Sequence, residues 1–161
     1  MVTVKAKTRK AGRLVNTGHV DTIIRNYKQE RWVNNSKHIG KEDSLSVWYS
    51  AEELEQFLAK IKKHGADGVR FYFAAYPADY AEKPLYASRQ TIVLVATQGK
   101  ETENGIIDKD VYITTDKGSS ILAYNVGKMC PPFCRPSIDG DDFGDIGITI
   151  VDKGKEGITV I

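Results

Sequence analysis

The chain has 161 residues, 41% hydrophobic and 27% charged, which is enough for one domain with a core of its own and excludes wholesale disorder. Two cysteines are too few for a disulfide-dependent secreted scaffold, and no apolar run reaches the roughly 18–20 residues that cross a bilayer. The net charge of +2 is unevenly placed: Lys5, Lys7, Arg9, Lys10 and Arg13 precede the first acid, Asp21, and the rest carries 18 basic against 21 acidic residues.

Residues 1–14 therefore read as a basic arm or an edge strand, with Val2, Thr3 and Val4 leading into Lys5 and Lys7. Such an arm can meet phosphate, but a nucleic-acid domain shows a basic face in its folded part as well, so nucleic acid is not the expected partner. The N-terminus lacks the apolar middle of a secretory signal, which makes a cytoplasmic location the default and a membrane no expected partner.

Residues 15–161 read as a single α+β domain. Val20, Ile23, Ile24 and Tyr27 recur at helical spacing and predict a first helix from about Thr17 or His19 to Trp32. Asn34-Asn35-Ser36 is expected to end it, leaving 33–43 as a polar loop. Leu45 to Tyr49 alternates as a strand with Leu45, Val47 and Tyr49 on one side. Ser50 and Glu53 form a capping box ahead of the stripe Leu54, Phe57, Leu58 and Ile61, and Lys60, Lys62, Lys63 and His64 precede Gly65. This predicts a second helix over about 51–64.

Gly68 to Ala75 is almost continuously apolar and aromatic, the pattern of an interior strand covered on both faces, and Pro77 ends it. Residues 78–90 are expected to be a long loop holding Tyr80 and Tyr86, the natural mobile cover over a pocket. Thr91 to Thr97 is a second interior strand. The charged run 99–110 contains a tight turn at Asn104-Gly105. Short strands are expected over 111–114 and 120–124, irregular chain over 127–144, and a hairpin from Ile146–Val151 and Ile158–Ile161. The two helices lie in the N-terminal half, and the sheet is expected to be mixed and mostly antiparallel. One right-handed parallel strand-helix-strand crossover is expected over 45–75.

Arg70 is the sharpest chemical anomaly, a guanidinium on an apolar strand. Desolvating it costs several kcal/mol unless it is paired. Pairing with an internal carboxylate or reaching the sheet rim is the plainer reading. The functional reading is an anion anchor, with Tyr72, Tyr76 and Tyr80 as the walls of a pocket for a small anionic or aromatic ligand. The tyrosines, with Trp48 and Phe73, can equally be ordinary packing.

Cys130 and Cys134, in Met-Cys-Pro-Pro-Phe-Cys-Arg-Pro, are inert thiols, a local disulfide, a metal site or a redox pair. Their spacing is not that of thioredoxin-type motifs or zinc ribbons, and the third ligand of thioredoxin-like copper chaperones is missing. Asp139, Asp141, Asp142 and Asp145 lack the fifth and twelfth ligands of an EF-hand. No phosphate loop, dinucleotide fingerprint, nucleophile elbow or zinc-protease motif is present, and His19, His38 and His64 stand in no triad context. No cofactor is expected, and the reading leans away from an enzyme.

The run Val47-Trp48-Tyr49-Ser50, the stretch Asp67 to Pro77 and the later Cys130-Pro131-Pro132-Phe133-Cys134 together resemble a family of small bacterial proteins with no assigned function, over about half the chain. The resemblance implies one domain bearing both Arg70 and the cysteines, and no activity. The function expected is a non-enzymatic binding or interaction domain for a small anionic or aromatic ligand or a protein partner. The alternative is a metal-binding or thiol-redox protein using Cys130 and Cys134.

Overall fold

The computed structural model describes residues 9–134, and the backbone of 150–152 and 158–160. Ser50 opens its best-defined helix, α3 (Ala51–Lys63). The Ser50 hydroxyl accepts from the Glu53 N–H (3.1 Å) and the Glu53 carboxylate accepts from the Ser50 N–H (2.7 Å), completing the capping box. At the far end Gly65 stands at φ +80°, the Gly65 N–H donates to the Lys62 carbonyl and the Ala66 N–H to the Ile61 carbonyl. That is a Schellman stop, which needs a residue without a Cβ at the left-handed position.

The preceding helical segment is longer than its polar sequence suggests. α1 (Thr17–Tyr27), capped by Asn16, runs through a π turn (Lys28–Trp32) into α2 (Val33–Ile39), and Gly40 at φ +73° ends it. The expected loop over 33–43 is thus helical to Ile39. Asn34, Asn35 and Ser36 favour caps and turns only when their side chains bond the local backbone. Here the Asn35 amide donates to Gln90 Oε1 (3.4 Å) and Ser36 Oγ accepts from the Asp43 N–H (3.0 Å). The apolar stripe of α1 buries no residue fully, and Ile23 is half exposed.

The main sheet is antiparallel. β2 (Gly68–Ala75) pairs with β3 (Gln90–Thr102), with Arg70 opposite Val95 and Phe73 opposite Ile92. β3 pairs on its other side with β4 (Gly105–Asp110) and with β7 (Ala123–Tyr124). Gly105, at φ +113°, closes the β3–β4 turn beside Asn104, as its sequence predicts, and the run 99–110 proves to be strand on both sides of it. β5 (Tyr112–Thr115) and β6 (Gly118–Ile121) form a separate hairpin. β9 (Ile150–Asp152) and β10 (Ile158–Val160) pair antiparallel, in the region of the expected terminal hairpin.

Helices and antiparallel sheets make the fold α+β, but without the parallel crossover over 45–75. β1 (Ser46–Trp48) joins β8 (Lys128–Cys130) antiparallel, with Trp48 opposite Lys128, and lies in a different sheet from β2. β8 also falls within the stretch 127–144 expected to be irregular. Residues 1–8, the acidic run 139–145 and residues 146–149 lie outside the described residues.

α3 packs Phe57 and Ile61 against Leu94, Ala96 and Leu122 to make one core. A second core gathers Tyr76, Tyr86 and Met129, with Val47, Tyr80 and Val126 packed against it. The α3 core takes in Val69 but not Phe71 or Phe73, which are 59% and 84% exposed. Among the described residues β2 is therefore an edge strand with an open outer half, not an interior strand covered on both faces. No helix among the described residues is long and apolar enough to cross a membrane.

Candidate functional site

Gly127 sets the geometry of the candidate site. A Cβ there would stand 2.5 Å from Val47 Cγ1 and 2.6 Å from the Tyr49 ring, so only glycine lets the chain press this closely onto β1. The Gly127 N–H donates to the Tyr49 hydroxyl (3.2 Å) and its carbonyl accepts from the Tyr86 hydroxyl (2.9 Å). Burial pushes the Tyr49 hydroxyl up to about 12. Val126, beside this clamp, stands at φ +69°, a conformation costing a β-branched residue about 1–3 kcal/mol and kept only where the surroundings over-determine it.

Around Gly127 opens a cleft of about 400 Å3. Trp48, at the end of β1, and its cross-strand neighbour Lys128 lie along it. Tyr86 and Lys83 come from the turn Pro84–Tyr86 and the residue before it, with Lys83 Nζ 5.1 Å from the centre of the Tyr86 ring. Phe133 contributes a further aromatic surface, its ring centre 5.7 Å from that of Tyr86. The Phe133 N–H donates to the Met129 carbonyl (2.8 Å), and a disulfide between Cys130 and Cys134 closes the same turn. Trp48 is 61% and Phe133 39% exposed, whereas Tyr86 is 1% exposed.

The cleft lining carries two cations, Lys83 and Lys128, and one carboxylate, Glu53. Both oxygens of Glu53 are engaged, one by the Ser50 N–H and the other by the Tyr124 hydroxyl (2.7 Å). The Tyr124 hydroxyl and then the Ser50 N–H hold that carboxyl below the usual carboxylate range. Lys83 and Lys128 are exposed along the same cleft, and Lys83 lies over the Tyr86 ring. Coulomb attraction from the two lysines can therefore meet a negative charge beside the aromatic surfaces of Trp48 and Phe133.

The four residues expected to form the ligand site fall into two separate groups. Arg70 lies with Tyr72 on the sheet surface: its Nη1 donates to Asp110 Oδ1 (2.6 Å) and to the Tyr72 hydroxyl (3.2 Å), and its Nη2 to the Asp108 carbonyl (2.7 Å). Tyr72 in turn donates to Asp110 Oδ2 (2.7 Å). The Arg70 side chain is 39% exposed and its guanidinium already paired, and it lines neither of the two clefts described here, so the buried, ligand-seeking arginine is replaced by a surface ion pair. On the same sheet Arg9 binds Asp108 (2.5 Å).

Tyr76 and Tyr80 belong to the other group. Their rings stack 4.5 Å apart, and Tyr76 is 5.5 Å from Tyr86. An aromatic row thus runs Tyr80, Tyr76, Tyr86, Phe133 and ends at the cleft. The loop 78–90 is accordingly a buttress anchored by buried Tyr86, not a free cover.

A second cleft, of about 380 Å3, lies between α2 and the ends of β2 and β3, against Asn35, His38, Tyr76 and Gln90. Beside it Asp43, 3% exposed, accepts at Oδ1 from the Ser44 and Gln90 N–H groups (2.8 and 2.7 Å). Arg89 is also buried and donates through Nε to the Leu85 carbonyl (2.9 Å) and through Nη1 to the Glu42 carbonyl. Burial lowers the Arg89 pKa, which the Asp43 and Glu42 charges oppose.

Joined to each other, Cys130 and Cys134 present no thiolate to a soft metal, and no cluster of three or more metal-ligating side chains occurs among the described residues. The bond closes a short loop, so replacing both cysteines by serine is expected to cost about 2 kcal/mol in a urea titration. Of the cleft residues, Glu53 has the capping box as its local signal, Tyr86 is singled out in the 78–90 loop, and Trp48 has the strand alternation. Alternation puts Leu45, Val47 and Tyr49 on one side of the strand and leaves Trp48 on the other. Lys83, Lys128 and Phe133 carry no periodic signature. Comparison with protein-family models, curated proteins and solved structures finds no match.

Proposed function

We propose that the protein is a binding domain that takes a small anionic aromatic ligand in the cleft between Trp48 and Phe133. The observation that carries this reading is the pairing of two exposed aromatic side chains with two exposed lysines around one opening. The ring stacks against Trp48 and Phe133, and the anion is met by Lys83 and Lys128. Arg70 was the natural anion anchor by sequence, but its donors are engaged by Asp110, Tyr72 and the Asp108 carbonyl. Tyr76 and Tyr80 act here as the support behind Tyr86.

Isothermal titration with indole-3-acetate and with phenyl phosphate tests the proposal. The wild type should show one saturable site. Trp48→Ala should weaken it roughly 5- to 100-fold, the range set by loss of one stacking platform. Lys83→Ala should weaken it more at low than at high salt, because an exposed charge is screened. Binding unchanged in Trp48→Ala, or no heat with either probe, defeats the proposal.

A second reading is a thiol–disulfide pair, favoured by the bonded sulfurs of Cys130 and Cys134. Thiol titration of denatured protein should find no free thiol without reductant and two after it. Two thiols in both samples count against a standing bond.

A further inference from the structure

Among the described residues β2 carries an open sheet edge, and its pattern is complementary to itself. The Tyr76 N–H donates to the Arg89 carbonyl (3.0 Å), and the register continues through Ala75 opposite Gln90 and Ala74 opposite Thr91. Backbone groups alternate along an antiparallel strand, so Arg70, Tyr72 and Ala74 turn theirs to β3. Val69, Phe71, Phe73 and Ala75 turn theirs outward, and among the described residues no strand pairs with that side. The strand has none of the usual guards of an exposed edge. It contains no lysine and no proline, and its single charge, Arg70, is neutralised by Asp110.

We propose that a second copy of this chain covers this edge, β2 pairing antiparallel with β2 about a two-fold axis at Tyr72. In that register Val69 lies opposite Ala75 of the second copy and Phe71 opposite Phe73 of the second copy. All four belong to the outward-facing set, so each is a hydrogen-bonded pair. Opposed residues share a face, which brings four phenylalanine rings together on one side of the joined sheet. On the other side Arg70 falls opposite Ala74 of the second copy, so no like charges meet. Placing the axis one residue earlier would pair as many strand residues but oppose Arg70 to Tyr72 and Val69 to Phe73, leaving Ala75 without a strand partner.

The available area sets the strength of this contact. Phe71, Tyr72 and Phe73 are 59%, 40% and 84% exposed. At about 200 Å2 per aromatic side chain they offer roughly 350 Å2 per copy, about 700 Å2 in the pair before backbone and neighbours are added. The side chains alone thus fall short of the roughly 1,000 Å2 lower limit for a specific interface, which fits a weak, concentration-dependent dimer rather than an obligate one. None of the cleft residues lies on β2, so the two proposals stand or fall separately.

Sedimentation equilibrium across a concentration series tests it. The wild type should move from 17.9 kDa toward twice that mass as concentration rises. Phe73→Lys should stay at the monomer mass at every concentration, with an unchanged circular dichroism spectrum because Phe73 makes no core contact. Tyr72→Cys should form a disulfide-linked dimer under mild oxidation, since the axis puts the two residues side by side. A wild type that stays monomeric overturns the proposal, as does a dimer that is indifferent to Phe73→Lys and not cross-linked through position 72. If dimers appear only after residues 1–8 are removed, the edge belongs to the chain's own N-terminal segment and the proposal fails.

Discussion

Replacing Tyr86 by alanine is expected to lower the unfolding free energy by about 3–5 kcal/mol, the range for deleting a buried aromatic side chain. Tyr86 is 1% exposed and joins the second core to the cleft. Its ring meets Tyr76 and Phe133, and its hydroxyl donates to the Gly127 carbonyl while accepting from the Met129 N–H (3.3 Å). Alanine leaves a cavity where the ring was and two buried backbone groups without a partner. Tyr86→Phe separates the two effects. It keeps the ring and loses only the hydroxyl bridge, at about 1–3 kcal/mol. Urea unfolding of both variants, with unchanged slopes, checks the order. An alanine variant no less stable than the phenylalanine variant would show that the ring packing contributes little.

Asp43→Ala is expected to cost a similar amount, about 3–5 kcal/mol, by a different mechanism. A single oxygen, Oδ1, serves the Ser44 and Gln90 N–H groups and so ties the chain after α2 to the start of β3. Its carboxylate is also a nearby negative charge for the buried Arg89 guanidinium. Alanine removes both at once, leaving two buried donors unmade and a buried cation less compensated. Asp43→Asn retains an oxygen for the two N–H groups and should lose less than half as much. Equal losses in the two variants would mean that charge, not the pair of backbone hydrogen bonds, is what Asp43 supplies.

The parts of the fold legible in the sequence are those whose signals are local. Ser50 and Glu53 announce the start of α3, and Lys63-His64-Gly65 its end, because caps are made by residues within a few positions of each other. The Asn104-Gly105 turn is legible for the same reason. The pairing of β1 with β8 is not, since it depends on contacts such as that between the Gly127 N–H and the Tyr49 hydroxyl, 78 residues apart. Nothing in the neighbourhood of Val47 or of Gly127 says that the other exists.

The misreading of β2 has a related cause. Apolar residues on both faces mean an interior strand only if something covers each face, and the α3 core reaches Val69 but not Phe71 or Phe73. An edge strand held in reserve for another strand carries the same residues as a buried one. Arg70 followed from that misreading: an arginine that looks desolvated on a covered strand becomes, on an open one, half of an ion pair with Asp110. Asn35 and Ser36 misled in the opposite direction, because they form tertiary hydrogen bonds to Gln90 and Asp43 in place of the local ones that stop a helix.

The chain has two tryptophans, and that makes the cleft directly observable. The Trp48 indole lies at the cleft, whereas the Trp32 indole N–H is held by the Asp43 carbonyl (2.8 Å) and does not line it. In a nitrogen–proton correlation spectrum, titrating indole-3-acetate should shift the Trp48 indole signal saturably while the Trp32 signal stays in place. A Trp48 signal that does not move, or two indole signals that drift together without saturating, would contradict an aromatic anion site between Trp48 and Phe133.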